Sequence, residues 1–147
     1  MLETVTLRNV TEDDLPILFL HQIDPQATRM AAFPSRDQEA FAAHWAKLLA
    51  NPSCLKMTIL FGDTVAGHVG SFDLSGERQV GYWIGREHWG RGIATKALEI
   101  FLAQETIRPL HAHVAKHNVA SLRVLEKCGF VSVRETVEEV VLVLGPS

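Results

Sequence analysis

Three strand-like segments follow one another with almost nothing between them, and that run constrains the fold more than any other feature of the chain. Met57–Phe61 and Val65–Asp73 are joined through Gly62-Asp63, and Ser75-Gly76 carries the chain into Gln79–Gly85. Short turns of this chemistry between strand-like segments are hairpin signals, so the middle of the chain reads as an antiparallel meander. After Gly85 the pattern changes. Gly92–Glu105 has the period of a helix, with Ile93, Ala97, Ile100 and Phe101 on its apolar side. Leu110–Ala115 is strand-like, and Asn118–Cys128 is a helix that Gly129 stops in the left-handed conformation. Phe130–Arg134 and Glu138–Leu144 close the chain as strands. The run Val140–Leu144 lacks alternation, which suits a central strand better than a dimer edge.

The first third supplies the cover. Glu3–Val10 alternates as a strand, Thr11 offers a capping oxygen, and Glu12, Asp13 and Asp14 suit the first turn of a helix that fades near Asp24-Pro25. Pro25 to Pro34 reads as a loop. Ser35 and Gln38 form a capping box before a second helix, with Phe41, Trp45 and Leu48 on one face and Asn51-Pro52 at its end. The order β-α-α-β-β-β-α-β-α-β-β predicts an α+β fold. It consists of a single mixed, mostly antiparallel sheet of about seven strands with four covering helices. No repeat or linker interrupts it, and residues 1–147 are expected to form a single domain.

Several function classes are disfavoured at once. A formal net charge of −3 offers no basic surface for nucleic acid. Cys54 and Cys128 stand far apart without a second pair, so neither a zinc knuckle nor a disulfide framework is expected. No apolar run approaches the roughly 20 residues that span a bilayer. Met1-Leu2-Glu3-Thr4 shows no basic segment leading into an apolar one, so no signal peptide and no membrane partner are expected, and the location expected is cytoplasmic. His111 and His113 share a strand face, with His117 nearby, but no third ligand stands at metal spacing; they read as solvated or hydrogen-bonded, and no metal is expected.

The chemistry lies in Trp89-Gly90-Arg91-Gly92-Ile93-Ala94-Thr95, between a strand and a helix. Glycines there let the backbone approach a phosphate closely, and the first free N–H groups of the helix point at an anion. A Walker loop needs Gly-Lys-Ser/Thr, and Thr95-Lys96 comes in the wrong place for it. A dinucleotide turn needs a third small residue where Thr95 stands and an acidic residue about 20 positions on, where this chain has Lys116-His117. Coenzyme A is the phosphate binder that remains.

Tyr82 through Ala94, then Asn118-Val119-Ala120-Ser121 running into Leu125-Glu126-Lys127-Cys128-Gly129-Phe130, resemble the GNAT family of N-acetyltransferases. The resemblance is greatest to the branch containing the ribosomal-protein N-terminal acetyltransferases. The family signature Gln/Arg-x-x-Gly-x-Gly/Ala falls on Trp89 through Ala94, with Trp89 in its first position. The resemblance implies acetyl-CoA as co-substrate, bound along Trp89, Gly90, Arg91, Gly92, Ile93, Ala94 and Thr95, with the pyrophosphate on Arg91 to Thr95. It implies that the main chain near Ile84 aligns the pantetheine and the thioester. It also implies that the arm enters a gap between the strands Gln79–Gly85 and Leu110–Ala115, and that Asn118 touches the pantetheine.

Acyl transfer to an amine requires a proton acceptor, donors for the tetrahedral oxyanion, and tolerance of the departing thiolate. Backbone N–H groups near Ile84 are the expected oxyanion donors. Many relatives place a tyrosine acid where this chain has Leu125; the branch resembled implies a hydroxyl at Ser121 instead. Relatives often carry a glutamate where Gln79 stands. Glu77, two residues earlier on the same strand face, is the expected base through a water, with His68, Asp73, His21 and solvent as competitors. The acceptor is expected to be a primary amine, on a small molecule or a peptide N-terminus, in a pocket built from Ile23–Phe33, with Arg29, from Phe72–Glu77 and from the last hairpin. A homodimer is open. The missing tyrosine and Gln79 also motivate a different class, a coenzyme A-binding sensor or partner-binding module on a decayed scaffold.

Overall fold

The computed structural model describes residues 4–145, so Glu3 of the first expected strand lies outside the described residues. The meander forms as the turn chemistry predicts. β2 (Leu55–Phe61), β3 (Thr64–Leu74) and β4 (Glu77–Ile84) pair antiparallel in succession. Ser75 and Gly76 both take positive φ, 54° and 79°, the requirement of a two-residue hairpin turn whose twist matches the strands. β1 (Val5–Asn9) joins the outer edge beside β2, and β5 (Leu110–Ala115), β6 (Val131–Glu135) and β7 (Glu139–Leu144) complete one seven-stranded sheet in the order β1-β2-β3-β4-β5-β7-β6. Every pairing is antiparallel except β4 with β5. β7 lies inside the sheet between β5 and β6, as its unbroken apolar run implies.

The described residues hold five α-helices rather than four: α1 (Leu15–Ile23), α2 (Pro25–Ala31), α3 (Gln38–Ala50), α4 (Ile93–Gln104) and α5 (Val119–Lys127). The extra helix, α2, occupies most of the segment expected to be a loop. Asp24-Pro25 ends α1 and begins the next helix: the Asp24 carboxylate accepts from the N–H groups of Gln26 and Ala27, and Pro25 presets the first helical φ. The second correction concerns α3. Its N-cap is Asp37, which accepts from Ala40 N–H at 2.8 Å, and not Ser35. The end of α5 follows expectation, with Phe130 N–H bonded to Leu125 C=O and Gly129 N–H to Glu126 C=O at φ 97° for Gly129.

The sheet has two faces. Val80 and Ile84 of β4 and Leu110, Ala112 and Val114 of β5 pack with Ile93, Ala97 and Phe101 of α4, the main core. Alternate residues look the other way, where Trp83 Nε1 donates to the C=O of His21 in α1 at 3.2 Å and Trp45 of α3 meets His68 edge-on. Two buried ionic networks lie beside the core. Glu105, at the end of α4, accepts from Ser71 Oγ and Arg78 Nε; burial alone would raise its pKa, and these bonds bring it below the usual range. Asp14 accepts from Arg8, Thr11 and Thr58, and the Arg8 bonds hold its carboxyl far below the usual range.

Candidate active site

β4 and β5 run parallel but register at one pair only, Gln79 with His111. Beyond it they diverge, and the sheet opens. Gly85 N–H donates to Ala66 C=O of β3 at 2.8 Å. By the alternation of a strand, Tyr82 and Ile84 therefore turn their backbone groups toward the opening. A cleft of about 470 Å³ passes through it, walled by Ala27, Met30 and Ala31 of α2 on one side and by Ser121 and Val124 of α5 on the other.

At one end of the cleft stands the glycine turn. Gly90 and Gly92 take φ 77° and 75°, and no atom lies within 4 Å of where a Cβ would be on either. Gly92 caps α4, so the N–H groups of Ile93, Ala94 and Thr95 are the unsatisfied first donors of a twelve-residue helix. Trp89, Gly90, Gly92, Ile93, Ala94 and Thr95 all line the cleft, together with Ile84, Asn118 and Ser121. Arg91 does not: its guanidinium carbon lies 5.8 Å from the centre of the Phe61 ring. Trp89 has a role beyond its backbone. Its indole N–H donates to Ile84 C=O at 2.9 Å, tying the turn to the end of β4. The turn thus has the room and the donor set that a pyrophosphate requires.

The other end of the cleft holds hydroxyls. Asn118 caps α5 by accepting Ser121 N–H at 3.2 Å, and Ser121 Oγ lies 2.6 Å from the hydroxyl of Tyr82. Burial pushes Tyr82 up to about 12, with the Ser121 bond opposing the shift. Leu125 is 1% exposed in the core. Sequence reasoning did not single out Tyr82 as a functional side chain. The available signals were its uniqueness, as the chain's one tyrosine, and its parity with Val80 and Ile84.

The expected bases are scattered. Glu77 starts β4, seven residues or roughly 23 Å of strand from Ile84. It lines no part of the cleft, and its carboxylate meets His113 at 3.0 Å and His111 at 3.7 Å. Asp73 is exposed and paired with Arg78 at 3.4 Å. His68 is pulled down to about 4 by burial under Trp45. His21 is buried against Gly85, and neither ring nitrogen finds a hydrogen-bond partner among the described residues; burial lowers its pKa. Arg29, whose sequence context favours a lone surface arginine over a carboxylate contact, offers its backbone C=O to His117 Nε2 at 2.8 Å. Among the described residues no group of side chains could hold a metal ion, and no helix is long and apolar enough to cross a membrane.

A family model described as an acetyltransferase (GNAT) domain matches residues 4–131. The chain is 24% identical over 142 residues to the uncharacterized N-acetyltransferase p20 of Bacillus licheniformis, covering 87% of this chain and 79% of that protein. Its fold is similar to that of spermidine N-acetyltransferase from Vibrio cholerae, solved in complex with CoA and spermine. There the TM-score is 0.85 at 16% identity, over 96% of this chain and 95% of the other. An acetyltransferase from Thermus thermophilus matches with a TM-score of 0.80 at 22% identity over 97% of both chains.

Proposed function

This chain belongs to the GNAT acetyltransferase family and is an acetyl-CoA-dependent acetyltransferase, and we propose that it moves the acetyl group directly to a primary amine. The acceptor is an amine on a small molecule or a peptide N-terminus, and residues 1–147 act as one cytoplasmic domain. The observation that carries this reading is the opening between β4 and β5, with a helix N-terminus at one end and paired hydroxyls at the other.

In this reading the pyrophosphate lies against the N–H groups of Gly92 to Thr95, and the arm runs along Ile84 and Asn118. The amine nitrogen attacks the thioester carbon, and the backbone N–H groups of Ile84 and Tyr82 meet the oxyanion. The C–S bond then breaks. A thiolate of ordinary pKa near 8.5 does not pull a whole proton from a phenol held at about 12. Ser121, backed by Tyr82, therefore serves as a hydrogen-bond donor to the developing charge on sulfur, and solvent completes the protonation. Glu77 acts on the acceptor side, through the histidine it holds.

Thiol release from acetyl-CoA tests the reading across a panel of primary amines, with alkyl polyamines first because of the likeness to the Vibrio cholerae enzyme, then peptides. Turnover with some member, slowed in Ser121→Ala, is expected. Acetyl-CoA binding without turnover on any amine would replace the reading with that of a coenzyme A sensor on a decayed scaffold.

A further inference from the structure

On the sheet face opposite the hydroxyl pair, β5 presents a histidine whose ring nitrogens both meet carboxylates. His113 Nε2 lies 3.0 Å from Glu77 of β4, and Nδ1 lies 3.0 Å from Glu139 of β7. The surroundings are polar on every side. Gln79 Nε2 donates to Glu77 at 3.2 Å, His111 stands 3.7 Å from the other Glu77 oxygen, and Arg134 of β6 adds positive field at Glu77. Asp73 of β3 is neutralised by Arg78, and α2 contributes Arg29 at the far end of β5.

The register gives this cluster its place. Gln79 pairs with His111, so Gly81 and His113 are the next residues on the same face, set across from each other where pairing has stopped. Tyr82, one residue on, points through the opposite face to Ser121. His113 therefore leaves β5 level with Gly81, about one residue's rise of 3.3 Å along the strand from Tyr82, on the face opposite the hydroxyls, and like Glu77 it is not among the residues that line the cleft. Gly81 has no side chain to block the approach, and only a Phe72 carbon, at 4.0 Å, stands near its absent Cβ.

We propose that His113 is the base that takes the acceptor's proton, with Glu77 and Glu139 as positioning residues; this rests on the acetyl-transfer reading of the site. The neutral ring donates Nδ1–H to Glu139 and offers the Nε2 lone pair, while Glu77 swings to an N–H of the incoming ammonium. One ammonium proton passes to Nε2. The freed nitrogen pair forms the N–C bond, the C–S bond breaks as the adduct collapses, and the nitrogen's second proton leaves by the same path. The exposed ring returns both to solvent, the sulfur takes one back, and one proton is released per acetyl transferred. Glu77 alone would serve poorly, because its bond to His113 holds it below the usual carboxylate range. Burial pulls His113 down, but its bonds to Glu139 and Glu77 outweigh this and leave it above the usual imidazole value. A base titrating near neutrality suits this task, and a pair of carboxylates around one imidazole favours a cationic acceptor.

The test uses His113→Gln and Glu77→Gln, with the alkylamine of the panel that turns over fastest, and with methoxyamine, which is already neutral at pH 7. His113→Gln is expected to lower kcat/KM for the alkylamine by about 100-fold or more and to abolish the acidic limb of its pH profile, while the methoxyamine rate changes little. In ring NMR titrations, His113 of the wild type should titrate above the usual value, with the rate sharing its midpoint. Both midpoints should fall together in Glu77→Gln. Equal losses with both amines, a surviving acidic limb, or a rate midpoint unrelated to the ring would each overturn the proposal. Should His113→Gln fail to fold, the paired midpoints in Glu77→Gln decide alone. Calorimetry with acetyl-CoA separates the two ideas: absent binding in the wild type sinks the function itself, whereas intact binding and turnover in an unaffected His113→Gln sinks only the base.

Discussion

The two sides of the opening between β4 and β5 are built in opposite ways. The donor side comes from two short stretches of chain, Tyr82 to Thr95 and Asn118 to Ser121, each a helix start with its preceding residues. The acceptor side gathers Glu77, His113 and Glu139 from three strands that meet only through the order of the sheet. Backbone N–H groups can hold a phosphate whatever the side chains are, so the donor side depends on glycine conformation and on where α4 begins. Proton transfer depends on side-chain identity, and a long-range cluster can be assembled differently on the same frame. One side is thus a property of the fold and the other a property of this chain.

That contrast holds only if losses on either side are separable from loss of the whole domain. The largest effect expected is on stability: Glu105→Ala leaves the buried Arg78 with only the exposed Asp73 as a carboxylate partner, at 3.4 Å, and should cost about 3 kcal/mol, measured by urea unfolding. The pH sign follows from the lowered Glu105 pKa. Its contribution is complete above the unfolded value near 4.3 and is lost as pH falls through the lower folded value. Asp14 adds to the same acid loss, its depressed carboxyl being stabilising above the unfolded value near 3.9 and not below. If acid unfolding instead tracked the His113 titration, stability and acceptor chemistry would not be separable.

Next in size, Ser121→Ala should lower kcat by about 10- to 100-fold, the cost of one hydrogen bond to a charged group, with acetyl-CoA affinity unchanged. Tyr82→Phe should lose a similar amount, and the double variant little more, because the two hydroxyls act in series. Full additivity would separate Tyr82 from the sulfur. Smaller again, Trp89→Phe removes the donor to Ile84 C=O and should weaken acetyl-CoA binding by about 2- to 10-fold, read by calorimetry, with no change in the pH profile. The smallest effect belongs to neither side. Arg86→Ala, breaking an exposed pair with Asp24, should move the thermal unfolding midpoint least of all, because screened surface ion pairs contribute little.

Legibility in the sequence divides along the same line. The meander, the order of strands, the turn at Gly90–Gly92 and the cap at Asn118 all follow from local rules, since turn type and helix start are decided within a few residues. α2 was missed because Asp-Pro stops one helix and starts another with the same two residues. Tyr82 was missed as a functional group because its partner is 39 residues away. The histidine clamp was missed for a related reason: Glu77 and His113 are 36 residues apart, and only the single β4–β5 register sets them on one face. His113 meets the expectation that the histidines of β5 are solvated or hydrogen-bonded, whereas His111 Nδ1 is buried without a partner among the described residues.

The account rests on the opening receiving the arm of an acyl-coenzyme A from the glycine turn. Its most direct test is a calorimetric titration of acetyl-CoA into the wild type and into Gly92→Glu, with Gly92→Asn as a control, since asparagine tolerates the positive φ found there. One-to-one binding in the wild type, retained in the asparagine variant and weakened about 100-fold or more by the carboxylate (roughly 2.7 kcal/mol), is the result expected. Equal affinity in all three folded proteins, or none in the wild type, would mean that the turn holds no pyrophosphate, and the division of the site into donor and acceptor sides would fall with it.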